Sequence, residues 1–559
     1  MPEYVRQWFY ADYLAGFTAV CVAVFFVLTL IYSWGFMRGR PGLFRYYLYL
    51  AVTCAGSIGA VLADNLVLFA CLWGFLGLTL YLLINFEGTN DASQAAKKAF
   101  IIVGGTDAFM LFGLAILWRL ADRPGLAAFT MQSIQLPLDS PEAILGYLCL
   151  AAAAFAKAGA IPFHTWVPPT ADHASTPVAA YLPASLDKLL GIYFLARLSL
   201  DLFVMTPAMN TLLMALGSLT IFAAVMMALV QHRMKRLLGY HAVSQVGYMV
   251  LGIGTGTPLG IAGGLFHMLN HTIYKSCLFL TAGAVEKQTG STELDRLGGC
   301  AKTMPITFAS FLVAALAISG VPPLNGFASK WMVYQAVIDT SRTGGGLWVV
   351  WLLAAMLGSA LTLASFMKLV HAVFLGSAEA TAAQPGPIRE VGASMWGPAA
   401  ILSGICLVFG IWPYALPIKW LIQPSIEMDI GYTGLWHPAA ATVLLGAALL
   451  LGVVIYLANI RTNTRTVAPF VGGEVLDQHT EMRLSGVDFY GTVQNLPVLS
   501  SAYRMADQGA FDVYTVGTKV TFGFSRLLGA LHDGRLPRYL AWCLLGALVL
   551  LYLMMRWSL

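Results

Sequence analysis

Long uncharged apolar runs recur along this chain, and no other feature limits its possible folds so sharply. At about 1.5 Å of rise per residue, a helix needs roughly 20 apolar residues to cross the hydrocarbon layer of a bilayer. The run "GFTAVCVAVFFVLTLIYSWGF" from Gly16 and the run "LAWCLLGALVLLYLMM" near the end are of this kind. Lipid supplies no hydrogen bonds, so only helices and closed barrels span it, and these runs lack the alternation of barrel strands. The expected fold is an all-α polytopic membrane protein. Composition agrees: of 559 residues 58% are hydrophobic and 11% charged, where soluble domains carry about a quarter charged residues.

The N-terminal stretch "MPEYVRQWFYADYLAG" has no basic region leading into an apolar core, so no cleavable signal peptide is expected. A net charge of +5 spread over many connections points to no nucleic-acid partner. The eight cysteines are scattered with no C-x-x-C spacing, which argues against an iron–sulfur cluster, structural zinc or a disulfide framework.

Apolar length, punctuated by Gly, Pro and charge, gives about fourteen spans, near 11–34, 43–63, 65–86, 98–120, 142–169, 177–200, 208–231, 236–254, 258–285, 304–340, 347–375, 396–416, 437–459 and 537–557. The Lys and Arg residues at 38, 40, 45, 97, 98, 233, 235, 236, 287, 296 and 302 gather on one side, expected to be cytoplasmic, with both termini outside. The fifth span is interrupted by Pro162, Pro168 and Pro169, and the tenth by "SGVPPLNG". These interruptions lie five spans apart. That spacing predicts two inverted five-helix repeats, each with a broken helix beside an ion site. The expected organisation is N-terminal helices over 1–64, repeats over 65–200 and 208–375, further helices over 396–459, a polar cytoplasmic segment over 460–536 and a last helix over 537–559. Within that segment, "YTVGTKVTFGFSRLLGALH" is weakly amphipathic, suited to the membrane surface or a neighbouring chain.

Several ionisable residues fall inside the apolar spans, where a charge costs roughly 2.5–3.5 kcal/mol even on the mild insertion scale. Lys157 sits in the stretch "LAAAAFAKAGAIPFHTWVPPT". There Pro162, which has no N–H, leaves the Ala158 carbonyl free to hold a water or the ammonium. Lys188 follows Asp187 in "YLPASLDKLLGIYF". His267, His271 and Lys275 recur at four-residue steps, which puts them on one helix face about 6 Å apart. Lys330 follows the second break, and Asp107 supplies a carboxylate on the fourth span. A lone lysine near a helix end usually snorkels to the interface, and Lys368 and Arg197 are assigned that way. His164 and His173, in Pro-rich connections, read first as structural, and His241 is balanced between structure and function. Four mid-span lysines together are harder to dismiss. Burial and a movable carboxylate act in opposite directions on a lysine, and histidine titrates near neutrality, so such a row can carry protons through intervening water.

These residues lie in motifs that resemble a known family. The motifs are "ADNLVLFACLWGFLGLTLYLLINF", "AAKKAFIIVGGTD", "AKAGAIPFHTWVPPTADHASTPVAAYL", "KRLLGYHAVSQVGYM", "HMLNHTIYKSCLFLTAGAVE" and "GVPPLNGFASKW". Over roughly residues 8–420 the chain is similar to the antiporter-like subunits shared by respiratory complex I, energy-converting hydrogenases and multisubunit cation/proton antiporters. The resemblance implies that Lys157 is the central pumping lysine, that Lys188, Lys275 and Lys330 are further proton carriers, and that Asp107 is the acid closing the fourth-span motif. His267 and His271 join this set, with His241, Asp187 and His164 as additional candidates. Where the family reads Trp-Glu this chain reads Trp73-Gly74, so the usual partner of the central lysine is missing and Asp107 is its expected substitute. The family's first two helices have no counterpart, and region 461–535 does not read as a lateral helix. Its tail, with "GVDFYGTV", "FDVY" and "LHDGRLPRYLAWCLLG", resembles hydrogenase-type relatives.

The expectation is a proton-translocating subunit in the cell's cytoplasmic membrane, part of an oxidoreductase-type energy-coupling complex. It needs no active site, cofactor or metal of its own. Its partners are other membrane subunits and a peripheral redox or zinc-containing subunit. Three other readings stay open: a membrane subunit for inorganic-carbon uptake or Na+/H+ exchange, a stand-alone transporter of an organic solute, and a passive scaffold whose charges only pin helices.

Overall fold

The helices begin where the chain places a polar cap before an apolar run. Ser140, Thr206 and Thr257 each accept a hydrogen bond from the backbone N–H three residues on, at 3.2, 3.4 and 3.1 Å, and each is followed by a proline at the first helical position. The side chain satisfies an orphan donor, and the proline sacrifices only an N–H that had no partner. Asn65 caps its helix through Val67 and Leu68 in the same way.

The structure, a computed structural model, describes residues 8–123, 125, 128–132, 134–343, 346–376, 387–426, 428–432, 436–460, 487–532 and 534–557. Its helices are α1 (Tyr13–Phe36), α2 (Leu43–Leu62), α3 (Leu66–Ile84), α4 (Asn90–Leu120), α5 (Pro141–Ala158), α6 (Val167–His173), α7 (Thr176–Leu202), α8 (Pro207–Leu229), α9 (Met234–Gly254) and α10 (Pro258–Thr289). They continue with α11 (Pro305–Ser319), α12 (Asn325–Asp339), α13 (Trp348–Leu375), α14 (Ala393–Ile411), α15 (Tyr414–Ile422), α16 (Pro438–Ile460), α17 (Pro497–Asp507), α18 (Val513–Leu531) and α19 (Leu536–Trp557). Helix occupies every one of the fourteen stretches read as spans. Among the described residues, ten helices are long and apolar enough to cross a membrane, so the chain is a polytopic membrane protein.

Contacts between connections sort the ends of α1 to α10 into two opposite sets. One set joins Arg40 to Glu87, Lys287 to the carbonyls of Gly35 and Phe36, Arg233 to Asp172, and Lys235 to Glu286. The other joins Phe9 to Ala63, Asn65 to Thr130, Leu136–Pro137 to Phe203–Val204, and Arg197 to Asp12 and Asp201. Successive spans therefore run in alternate directions, α5 and α6 counting as the two halves of one. The basic residues at 38, 40, 233, 235, 236, 287 and 296 belong to the first set.

The core lies where α7, α9 and α10 meet. Between Pro258 and Val285, α10 is buried on every face from Leu259 onward, packed by α7, α9, α11, α12 and α14. A buried helix must be apolar all round or pair its polar groups, and α10 takes the second course. By its contacts the chain divides into residues 1–500 and 501–559. In the second unit α18 and α19 are linked by Arg538 Nη1 donating to Ala530 O at 3.3 Å. The stretch 461–486, part of the expected polar segment, lies outside the described residues. The described remainder of that segment is broken into short helices and α18, not one long helix.

Candidate functional site

The first break is made by glycine, not by the proline expected to cause it. α5 ends at Ala158 with Gly159 at φ 76°, whose N–H returns to Phe155 O at 2.7 Å, and Ala160 N follows to the same carbonyl at 2.9 Å. Glycine enters this left-handed region without the Cβ penalty other residues meet. Pro168 and Pro169 lie in the first turn of α6 and start it instead of breaking the span. Across the gap Ile161 N donates to Thr220 Oγ1 at 3.2 Å and Trp166 Nε1 to Ala156 O at 2.9 Å, which holds the two halves in place.

Lys157 therefore stands in the last turn of α5, at the break, and is 1% exposed. Its ammonium has no hydrogen-bond partner within the protein and lies 5.2 Å from the Trp73 ring centre. Lys188, wholly buried, reaches the same break from α7, with its ammonium 5.4 Å from the Trp166 ring. A Cβ on Gly159 would sit 3.1 Å from that ammonium. Immediately before it, residues Leu182–Leu186 form a π-helical turn, an irregularity often found at working sites. Asp187 and Asp107 both stand within Coulombic reach of Lys157. Gly74 is exposed, and a Cβ there would meet nothing within 4 Å. An acid at that position would thus leave the bundle, whereas Asp107 faces into it beside Gly77.

The second break repeats the device. α11 ends at Ser319 with Gly320 at φ 81°, and α12 starts at Asn325. Lys330, 1% exposed, donates from Nζ to Ile318 O at 2.8 Å and lies 4.6 Å from the Tyr248 ring centre. The ammonium-to-free-carbonyl bond anticipated at Lys157 is thus realised at Lys330. Asn270 and Asn325 brace the break by bonds of 2.9 and 3.0 Å.

Between the breaks runs α10. His267 bonds Ser329 Oγ through Nδ1 at 2.9 Å, and Gln245 Oε1 through Nε2 at 3.2 Å. His271 packs edge-on against Tyr274 at 5.5 Å and stands within Coulombic reach of both Lys188 and Lys275. Lys275 lies 5.8 Å from both the Phe279 and Phe366 ring centres. His241 bonds Ser365 Oγ at 2.8 Å and also falls within reach of Lys275 and Lys330. The structure thus brings Asp107, Lys157, Asp187, Lys188, His271, Lys275, His241, His267 and Lys330 into one buried series. None of these four lysines faces lipid, and they are not directly bonded to one another. His164 stands apart, in the half-buried turn Phe163–Trp166 after the first break.

Two residues assigned to snorkelling do something else. Lys368 is fully buried and donates to Leu229 O at 3.0 Å and Gln231 O at 2.9 Å, closing the end of α8. Arg197, 6% exposed, pairs with Asp12 at 2.6 Å and Asp201 at 2.7 Å. Both carry charge to a partner within the bundle, which replaces the water a snorkelling side chain would seek. Lys235, expected in a cytoplasmic connection, is 3% exposed and bonds Ala174 O and Glu286 at 3.1 and 3.2 Å. Sequence reasoning also passed over Gln245, Ser329 and Ser365, the partners of the histidines. The four-residue step from His241 to Gln245 was the available signal.

Residues 63–362 match the family described as "NADH:quinone oxidoreductase/Mrp antiporter, TM". The Na(+)/H(+) antiporter subunit A1 of Staphylococcus epidermidis is 30% identical over 418 residues, covering 71% of this chain and 51% of that protein. Its counterpart in Staphylococcus haemolyticus is 29% identical, covering 74% and 53%. The chain thus spans about half the length of the curated relatives it matches. Among solved structures, a membrane-bound sulfane sulfur reductase, described as an archaeal respiratory membrane complex, aligns with TM-score 0.76 at 23% identity, over 97% of this chain and 88% of that one. The Mrp complex from Dietzia sp. DQ12-45-1b aligns with TM-score 0.67 at 21% identity, over 75% and 84%. With both broken helices and the lysine series inside the matched residues, the chain belongs to the NADH:quinone oxidoreductase/Mrp antiporter transmembrane family.

Proposed function

We propose that this chain is the proton-translocating, antiporter-like membrane subunit of a multisubunit energy-coupling complex, moving protons along the buried Lys/His series. One observation carries the reading: four lysines are buried in a single bundle, three of them at the two helix breaks and Lys275 on α10 between them, one turn from His271. Unpaired buried amines are expensive in a membrane and rarely persist without a task. Asp107 is the movable counter-charge for Lys157, and water carries the proton across the gaps between side chains.

The architecture under this reading has fourteen spans, with residues 65–200 and 208–375 as two inverted units, each containing a broken helix. The end of the bundle rich in Lys and Arg faces the cytoplasm, in accord with the positive-inside tendency, and both termini face outward. Residues 1–64, 396–459 and 537–559 flank the repeats, and 460–536 connects on the cytoplasmic side. The complex sits in the cytoplasmic membrane, where the neighbouring subunits are other membrane subunits and a peripheral redox or zinc-containing protein.

A second reading, Na+/H+ exchange, is favoured by the names of the Staphylococcus relatives, at 27–30% identity over half their length. Purified complex in proteoliposomes separates them. Under the first reading a pH gradient forms without sodium; under the second it follows the sodium gradient. In either case Lys157→Met and Lys275→Met abolish proton movement at normal assembly. Full flux in both variants would refute the lysine series as the route.

A further inference from the structure

A second set of titratable side chains lies outside this series, at the basic end of the bundle. Asp91 begins α4, and its side chain is 73% exposed; His173 ends α6, at 24%; Asp172 beside it is 1% exposed. The imidazole lies between the two carboxylates and offers a different ring nitrogen to each: Nδ1 is 4.0 Å from Asp91 Oδ2, and Nε2 is 3.7 Å from Asp172 Oδ2. On the far side Arg233 Nη1 meets Asp172 Oδ2 at 3.2 Å.

Structural Arg–carboxylate pairs frequently set the guanidinium fork on both carboxylate oxygens. Here Asp172 Oδ1 and Arg233 Nε are buried atoms with no hydrogen bond to the protein. The hydroxyls of Thr170 and Ser175, on either side of Asp172 in sequence, are likewise buried without a protein partner. One residue on from His173, the Ala174 carbonyl accepts from Lys235, which pairs with Glu286, itself bonded by Thr176.

We infer that Asp91, His173 and Asp172 form a proton-collecting site that feeds the first broken helix from the basic face. A proton from solvent, delivered through Asp91, forms an N–H bond at His173 Nδ1 and gives the imidazolium. The Nε2–H bond then breaks, the proton forms an O–H bond on the Asp172 carboxylate, and the ring is left neutral as the other tautomer. Protonation weakens the attraction between Asp172 and Arg233; the O–H bond of the neutral acid then breaks, its proton passing to a water held by the Thr170 hydroxyl and onward, and the carboxylate is restored. The gaps of 4.0 and 3.7 Å exceed direct hydrogen-bond length, so each transfer uses a side-chain rotation or one bridging water.

The inference rests on the proton-translocating reading, and one experiment separates the two. Everted membrane vesicles carrying the native complex expose the basic face to added reagents. With His173→Ala, proton flux per assembled complex falls by about a hundred-fold, at the low end of general acid–base effects, and imidazole in the medium restores it. With Asp172→Asn, flux falls and imidazole does not restore it. Wild-type flux in assembled His173→Ala overturns the collecting site, as does a loss that imidazole leaves unchanged. If His173→Ala fails to assemble, His173→Gln, which retains bulk and one polar contact but cannot carry a proton, replaces it with the same expected loss of flux, and wild-type flux in that variant overturns the collecting site. Flux that also survives Lys157→Met refutes the parent reading; loss in Lys157→Met with normal flux in the His173 variants refutes only this one.

Discussion

Gly159→Ala tests how closely the first break is tied to Lys188. Gly159 adopts φ 76°, where an L-residue with a Cβ is penalised by roughly 1–2 kcal/mol. The added methyl would also lie 2.6 Å from Val167 Cγ2 and 3.1 Å from Lys188 Nζ. The ammonium is the far end of a flexible chain and can swing away, but Val167 is held at the start of α6, so overpacking adds about 1–3 kcal/mol. The expected total is about 2–5 kcal/mol of destabilisation, with Lys188 displaced from Trp166. Gly104→Ala is the matched control, because a Cβ there meets nothing within 4 Å and no positive φ is involved; it should be neutral or slightly stabilising. Thermal melts of the purified complex and flux in proteoliposomes should show a lower Tm and slower flux for Gly159→Ala alone. Equal melting and equal flux in the two variants would refute the reasoning.

Lys330→Met removes the donor to Ile318 O and leaves a buried carbonyl unpaired, for a loss of about 1–3 kcal/mol; the melt should drop and flux should cease, while Lys330→Arg should recover the melt. Lys368→Met uncovers the Leu229 and Gln231 carbonyls with a similar loss of about 1–3 kcal/mol, yet flux per assembled complex should stay normal, since the residue closes a helix end outside the series. Asp64, in the connection before α3, has its carboxyl raised above the ordinary range by burial, against the lowering effects of the Met131 backbone N–H and Arg197. A raised folded-state value means that stability is lost as pH climbs from the usual carboxylate range through that value. Asp64→Asn should therefore raise the Tm at neutral pH and have little effect in acid; the opposite pH trend in melts would contradict this.

Several features were legible before any coordinates. Ser140-Pro141, Thr206-Pro207 and Thr257-Pro258 announce helix starts because capping and the first-turn proline act within a few residues. The breaks were legible too, though their agent was misjudged: prolines mark the neighbourhood, while Gly159 and Gly320 make the turn. The four-residue step of His267, His271 and Lys275 survived because one unbroken helix carries all three. Lys368 and Arg197 were misjudged because each looks, along the chain, like a charge near a helix end with water at hand. The carbonyls of Leu229 and Gln231 that take Lys368, and Asp12 that takes Arg197, lie far off in sequence; Asp201, four residues after Arg197, was the one local sign of a buried pair.

The amino-acid order by itself determined where helices form, where two of them break and which ionisable groups enter the apolar layer, because these follow from solvent partition and from interactions within a helical turn. Tertiary packing alone decided that Lys188 meets Gly159, that Lys330 takes the Ile318 carbonyl and that Asp107, not position 74, faces the Lys157 side of α3. Those pairings depend on the rotation and depth of one helix against another. That arrangement is set by the sum of many weak side-chain contacts, and no single stretch of chain contains it.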